Sequence, residues 1–305
     1  MNSKNELFSS LDLNSKKNIA IIGSSFCSCL LGDYLKIKYG AEVVFYEKTK
    51  FIGGAWRSDN FGNVFSNIIA PTNNSERKVF KKVLIFLKKK KIKIKKLKYN
   101  SFYANQIVDS YIFDFNHFYK KIKESSIIKK LKVNFIQEKN NHVLINNKFK
   151  HDYVLFPNSV NLKNITKKSK LCKTFKIPKG KIIKSKHIRI ICKDIPKDNF
   201  KDLYYREQTL GPIDRLQATG IKQNIFMISA RISRQSKHKS KSSLTNNVSK
   251  LLGIKRILES SINIYSSIHY SPKQIKEINS INAKFSRIKH YNTSSVMEFI
   301  NKYLL

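Results

Sequence analysis

Three short groups of residues in the first fifth of the chain have the types and spacing to grip the phosphates and sugar of a dinucleotide. They are Gly23-Ser24-Ser25-Phe26-Cys27-Ser28, then Glu47, then Gly53-Gly54-Ala55-Trp56-Arg57. In a G-x-G-x-x-G turn each glycine has its own job. The first makes the tight turn, the second lets backbone approach the pyrophosphate, and the third lets helix pack on strand. Here only Gly23 keeps its place, and Ser25 and Ser28 fill the other two. Serine is small and polar, so the turn is weakened rather than lost, and a Ser25 hydroxyl can donate to a phosphate. Backbone N–H groups at a helix start still favour an anion there. Glu47 follows at roughly the twenty-residue spacing at which an acidic residue takes the ribose hydroxyls. A carboxylate there would repel a 2′-phosphate, which argues against NADP. The other reading of Glu47 is a solvated carboxylate at a strand end.

The elements that must position these groups are legible around them. Residues 18–23, NIAIIG, form the short apolar run of a buried parallel strand. Phe26, Leu30, Leu31, Tyr34, Leu35 and Ile37 recur near a 3.6 period, so a helix follows the turn. Gly40 is placed to end it as a left-handed cap. A second strand runs from Glu42 to Tyr46 and delivers Glu47 at its carboxyl end. The order strand, turn, helix, strand, acid is a Rossmann-type βαβ unit, and the fold class is α/β with a parallel sheet.

The series Glu47…Gly53-Gly54-Ala55-Trp56-Arg57 resembles the flavoprotein family of amine oxidases, protoporphyrinogen oxidases and UDP-galactopyranose mutases. In that family a paired-glycine turn and an aromatic or basic residue follow the acid and bring backbone amides to the flavin and its diphosphate. The resemblance implies FAD as cofactor and an FAD-dependent oxidoreductase or mutase, its FAD domain interleaved with a smaller substrate domain holding a mixed or antiparallel sheet. It assigns Gly23, Ser24, Ser25, Phe26, Ser28, Glu47, Lys48, Gly53, Gly54, Ala55, Trp56 and Arg57 to the cofactor. Two later segments are similar to the same family. HDYVLFPNSVNL (151–162) is similar to the strand that returns to the dinucleotide domain. GPIDRLQATGIKQNIFMISARISRQ (211–235) is similar to the last substrate-sheet strand followed by the closing strand of the flavin domain. By that resemblance Arg231 partners the diphosphate, a role suited to a guanidinium, and Arg215 lies near the flavin ring or the substrate. Trp56 as a core aromatic, Arg231 as a surface arginine and Asp214–Arg215 as a local charge pair stand beside these roles. The family's acidic closing pair is replaced by Ser229-Ala230, and the substrate domain is short.

The expected organisation is a mobile tail (1–17), the FAD-binding βαβ part (18–75) and an inserted helical, basic substrate part (76–130). A hairpin and return to the FAD domain (131–165) and a substrate sheet (166–222) follow. The closing strand and helix of the FAD domain (223–255) and a helical C-terminal extension (256–305) complete it. Helical spacing is read over 76–90, 113–127 and 244–251, and alternation within 88–98 reads as a half-exposed strand. The dipeptide Asn146-Asn147 suits a hairpin turn.

Sixty Lys+Arg against 20 Asp+Glu give a net charge of +40 over 305 residues. Such a field attracts anions, so an anionic or sugar-related small-molecule substrate and peripheral contact with an anionic membrane are both expected; no nucleic-acid module accompanies the charge. Cys27, Cys29, Cys172 and Cys192 have no metal spacing and suit a reducing cytoplasm. No run of 18 apolar residues or signal pattern is present, which also fits a cytoplasmic protein. His117, His142, His151, His187, His238, His269 and His290 lack the company of a catalytic triad, so no catalytic base is assigned. Two further readings stand: a flavoprotein fold without catalysis that binds an anionic glycan, lipid surface or nucleic acid, and an NAD enzyme, which leaves the second glycine turn unexplained.

Overall fold

The computed structural model describes residues 6–9, 11–49, 52–54, 68–69, 74–101, 106–158, 162, 164–167, 173–195, 203–210, 213–222, 224–233, 236, 239–293 and 296–305. In chain order the elements are α1 (Glu6–Ser9), β1 (Asn18–Ile22), α2 (Phe26–Tyr39), β2 (Glu42–Glu47), β3 (Ile68–Ile69), α3 (Asn74–Lys89), β4 (Lys93–Ser101), β5 (Gln106–Asp114) and α4 (Asn116–Ser125). Then come β6 (Ile127–Lys130), β7 (Phe135–Glu138), β8 (Val143–Ile145), β9 (Phe149–His151), β10 (Tyr153–Pro157), β11 (Asn164–Lys167), β12 (Lys173–Lys176) and β13 (Lys181–Lys193). The last part holds β14 (Leu203–Leu210), β15 (Ile213–Lys222), β16 (Ile225–Ile232), α5 (Lys241–Leu252), β17 (Arg256–His269), α6 (Pro272–Asn279), α7 (Ile281–Lys284), β18 (Ile288–Tyr291) and α8 (Val296–Phe299).

A five-stranded parallel sheet ordered β18-β10-β1-β2-β6 forms the centre. Its middle strand is apolar because both faces are covered. Ile19, Ile21, Phe45, Leu155 and Tyr291 pack one face against α2, α3, α4 and the C-terminal helix. Ala20, Ile22, Val44, Tyr46, Val154 and Ile288 pack the other against β7, β8, α6 and α7. Helix α2 is the βαβ crossover, and Gly40 ends it at φ 61°, donating to the Leu35 and Lys36 carbonyls. A second sheet, β12-β11-β7-β8-β9, contains a meander whose β8–β9 turn is Asn146-Asn147, with φ 49° and 58°. Asparagine tolerates that left-handed region better than other non-glycine residues. A third sheet, β14-β15-β16-β13-β17, is antiparallel throughout, and α5 covers one of its faces. β3, β5 and β4 form a small fourth sheet.

Several sequence expectations change. The N-terminal segment is not a free tail where it is described: Leu7, Phe8 and Leu11 are buried, and Phe8 packs on Tyr34 and Tyr39 of α2. Residues 113–127 are not one helix, since β5 ends at Asp114 and β6 begins at Ile127, where it becomes an edge of the parallel sheet. Within 166–222, β12 belongs to the sheet of the meander. The span 223–255, expected to close the dinucleotide-type domain, does not join its parallel sheet: β16 lies in the antiparallel sheet with α5 against it. A short apolar run such as NIFMIS suits either kind of buried strand, and its sequence alone does not choose. The span 256–305 is not a helical extension. It supplies β17, paired with β13 from Arg256 to His269, and β18, which closes the parallel sheet beside β10. β18 reads as polar, yet its four residues are buried. Lys289 is held by donating to the Asn282 and Phe285 carbonyls, and Asn282 brackets the His290 backbone through its N–H and its carbonyl.

Candidate functional site

The βαβ turn sits at the carboxyl ends of β1 and β2, where open α/β sheets bind ligands. Gly23, at φ 81°, donates its N–H to the Tyr46 carbonyl at 2.8 Å and sends the chain across the sheet edge. Ser25 caps α2, accepting from the Ser28 N–H at 3.3 Å. Its hydroxyl also lies 2.8 Å from the Ser28 hydroxyl, which accepts from the Tyr291 phenol at the end of β18, again at 2.8 Å. The two serines that replace glycines thus join the helix start to the last strand of the sheet.

The second glycine turn lies directly on the first. The Gly53 N–H donates to the Ser24 carbonyl at 2.6 Å, and Gly53 pairs with Ser25 as an isolated parallel bridge. Gly53 has φ 95°, and a side-chain carbon there would come within 2.7 Å of the Tyr119 ring on α4. Only glycine meets both conditions. Gly54 is exposed beside Ser25.

Glu47 is buried at 8% exposure. One carboxylate oxygen accepts from the N–H and hydroxyl of Ser24, both at 2.9 Å. The other accepts from the N–H and hydroxyl of Thr49 at 2.9 and 3.0 Å. A carboxylate has about four acceptor positions, and these donors fill them. Two of the four are rotatable hydroxyls that ribose hydroxyls can replace, whereas the two backbone donors stay. The strand end, the helix N-terminus and the stacked glycine turns therefore fit the ADP half of FAD, with Ser24 and Thr49 as competitors inside the site. Sequence reasoning named Ser24 as a cofactor contact but missed that it and Thr49 hold Glu47. The signal was present in two hydroxyl residues, one just after Gly23 and one two positions beyond the acid.

The remaining sequence-predicted residues divide. Phe26 is 1% exposed and packs on Phe115, with ring centroids 4.2 Å apart, so only its backbone faces the turn. Ser24 and Ser28 are buried, and Lys48 is exposed. Ala55, Trp56 and Arg57 lie outside the described residues, as do Cys172 and His238. Arg231 and Arg215 stand opposite each other in β16 and β15. That sheet is not the parallel one, so a position on the closing strand no longer argues for Arg231 at the diphosphate. The residues that follow the true closing strand are Asn292 and Thr293, not an acidic pair. The third glycine's packing task has moved one turn along α2 to Gly32, where a side-chain carbon would lie 2.5 Å from the Phe45 ring. Burial pushes the Cys27 thiol up to about 12 and Cys29 higher still, so both are protonated core groups. Among the described residues no helix is long and apolar enough to cross a membrane.

No family profile matches the sequence, and no curated protein matches it. Solved structures do. The fold is that of FAD-dependent oxidoreductases, with a Rossmann-like parallel sheet beside mixed and antiparallel sheets. The chain is similar to a candidate protoporphyrinogen oxidase from Exiguobacterium sp. 255-15 at 10% identity, with a TM-score of 0.63 over 94% of this chain and 97% of that one. It is similar to a double mutant of putrescine oxidase at 8% identity, TM-score 0.57, over 91% and 93%. It is also similar to L-proline dehydrogenase from P. horikoshii at 14% identity, TM-score 0.54, over 94% and 90%. Against other matched structures the chain spans about half the partner's length, 56% in the case of a flavin-dependent halogenase. At these identities the likeness is one of fold.

Proposed function

We propose that this protein is an FAD-dependent oxidoreductase whose ADP-ribose anchor is Glu47. The observation that supports it is the placing of that carboxylate, the α2 N-terminus and the Gly53-Gly54 turn together at one edge of the parallel sheet. Glu47 would accept the ribose hydroxyls, the first N–H groups of α2 would face the pyrophosphate, and exposed Gly54 would let the cofactor approach closely. FAD, when bound, would supply the electron transfer, while the chain binds and orients it. The antiparallel sheet would hold a small-molecule substrate, anionic or sugar-related, in a cytoplasmic protein; peripheral contact with an anionic membrane is a further role for the charge.

The test is the visible spectrum of the purified protein with and without added FAD, joined to a calorimetric titration. The expected result is saturable uptake of FAD and flavin bands, with uptake weakened at least tenfold in Glu47→Ala. Binding that is unchanged in that variant overturns the ribose assignment, and no uptake at all overturns the flavin reading. The second reading, a flavoprotein fold that has lost its cofactor, is favoured by one feature: the anchoring carboxylate is already satisfied by Ser24 and Thr49.

A further inference from the structure

Helix α3 is held by one face and shows the other to solvent. Phe80, Val83 and Leu87, three and four residues apart, are buried in the core that α3 shares with α2 and α4. Ile85 lies two residues from both Val83 and Leu87, and so on the far side of the helix. It is 58% exposed. Its neighbours on the helix surface, at i−4, i−3, i+3 and i+4, are Lys81, Lys82, Lys88 and Lys89, and every one of them is exposed. Lys78, also exposed, extends the stripe by a turn. No Asp or Glu occurs between Arg77 and Lys96. Among the described residues none of the lysines around Ile85 is in an ion pair. Lys90 stands apart from them: it turns to Asp33 of α2 and ties the helix end to the core.

Like charges three and four residues apart destabilise a helix, and Lys78 stands in that relation to Lys81 and Lys82. Solubility alone accounts for lysines on an outer face, but not for a bare isoleucine at their centre. An anionic bilayer answers both. Lysine ammoniums meet headgroup phosphates and carboxylates, their stems bend up to that level, and the isoleucine reaches the acyl boundary. Lysine is a hydrated point charge without arginine's fork, so the face fits a charged surface rather than one defined oxyanion. Nucleic acid fits it less well, because single strands are held by aromatic stacking beside the cations, and the centre of this ring is aliphatic.

We propose that the outer face of α3 is the surface by which this protein lies on a bilayer rich in anionic lipid, with Ile85 entering the headgroup region inside the ring of Lys78, Lys81, Lys82, Lys88 and Lys89. The proposal rests on the peripheral membrane role proposed for the charge and gives it a place; it does not depend on FAD. The helix lies flat on the bilayer because the core holds its other face. Each lysine near such a surface strengthens binding by about fivefold, and the attraction fades within a Debye length. With a single isoleucine inserted, binding is reversible and sensitive to salt.

The test is co-sedimentation of the full chain with vesicles of phosphatidylcholine alone and of phosphatidylcholine mixed with phosphatidylserine. The chain should bind the mixed vesicles and not the neutral ones, and less tightly as NaCl is raised. The variant Lys81→Gln/Lys82→Gln/Lys88→Gln/Lys89→Gln should weaken that binding by about tenfold or more. Removing the same charge from other exposed positions, in Lys181→Gln/Lys184→Gln/Lys273→Gln/Lys276→Gln, should change it by less than about threefold. Ile85→Asn keeps every charge and should weaken it about threefold or more, and Ile85→Trp should gain a blue-shifted emission on the mixed vesicles that the wild type lacks. If the wild type ignores the mixed vesicles, the membrane role itself fails. If it binds but the two lysine sets weaken binding alike, the membrane role stands and the α3 assignment fails. Unchanged binding in Ile85→Asn, with no emission shift in Ile85→Trp, overturns the insertion. Tight binding of a single-stranded RNA oligonucleotide by a chain that ignores vesicles would give the face to nucleic acid instead. FAD titration of the same variants should match the wild type, which separates failure here from failure of the flavin reading.

Discussion

In the proposed function Glu47 carries two roles that compete. Its carboxylate locks the turn by accepting from Ser24 and Thr49, and the same acceptor positions are those a ribose needs. Each displaced hydroxyl costs about one net hydrogen bond, roughly 0.5–1.5 kcal/mol. With two hydroxyls removed, the double variant Ser24→Ala/Thr49→Val should therefore bind FAD between about fivefold and about 150-fold more tightly than the wild type, measured by titration. No gain would mean that the hydroxyls do not compete with the cofactor. The chemistry of this site was legible as residue types and spacing. Its internal satisfaction was not, because it depends on where two hydroxyls point.

Two buried histidines set a pH dependence at the same scale. His151 lies between the Tyr46 hydroxyl at 2.7 Å and the Asn18 side-chain oxygen at 2.6 Å, and burial lowers its pKa to about 4. Burial lowers His290 to about 4 as well, beside the Phe156 ring. Unfolded, each titrates near 6.5. Between those values the unfolded chain binds more protons, so the neutral-state stability is full above about 6.5 and is lost as pH falls toward 4. The melting temperature should drop over that window, as stability falls by on the order of 3 kcal/mol for each histidine. A His151→Asn/His290→Asn pair should melt with a flatter pH profile; an unchanged slope would assign the acid sensitivity to other groups.

At the scale of elements, two glycines decide how closely the pieces pack. Gly32 lets α2 lie against β2, and Gly53 lets the second turn lie under Tyr119 of α4. Gly32→Ala forces a carbon into the Phe45 ring and should cost about 1–3 kcal/mol by denaturant melts. Gly53→Ala adds backbone strain at φ 95° to its clash and should cost at least as much. Asp33, in the middle of α2, ties the end of α3 and α4 to the crossover through Lys90 and Lys121. The crossover and its cap were legible because a 3.6-residue apolar period and a terminal glycine are local signals. β18 was hidden because Lys289 and His290 make a buried strand look solvent-facing, and β6 because it follows α4 with hardly a break.

For the whole molecule the dominant number is the net charge of +40. Exposed lysines recur along α3, β4, α4 and the start of β13, so like charges lie near one another on the surface. Self-repulsion of this kind weakens a folded state, and salt screens it. Raising NaCl from about 0.05 M, where the Debye length exceeds 10 Å, to about 0.5 M should raise the melting temperature by several degrees. A flat or falling response would show that paired charges outweigh the repulsion.

By itself the sequence determined the βαβ unit, the place of its acid, the second glycine turn and the α/β class, all set by neighbours within some forty residues of chain. Periodicity reports which face of a segment is buried, not which distant segment covers it. Only the tertiary structure decided that Ile225–Ile232 belongs to an antiparallel sheet, that Ile288–Tyr291 closes the parallel one, and that Tyr291 reaches the start of α2. It also set Arg189 and Arg231 in adjacent rows of one face, because strand partners are chosen by pairing across long separations that no local pattern records.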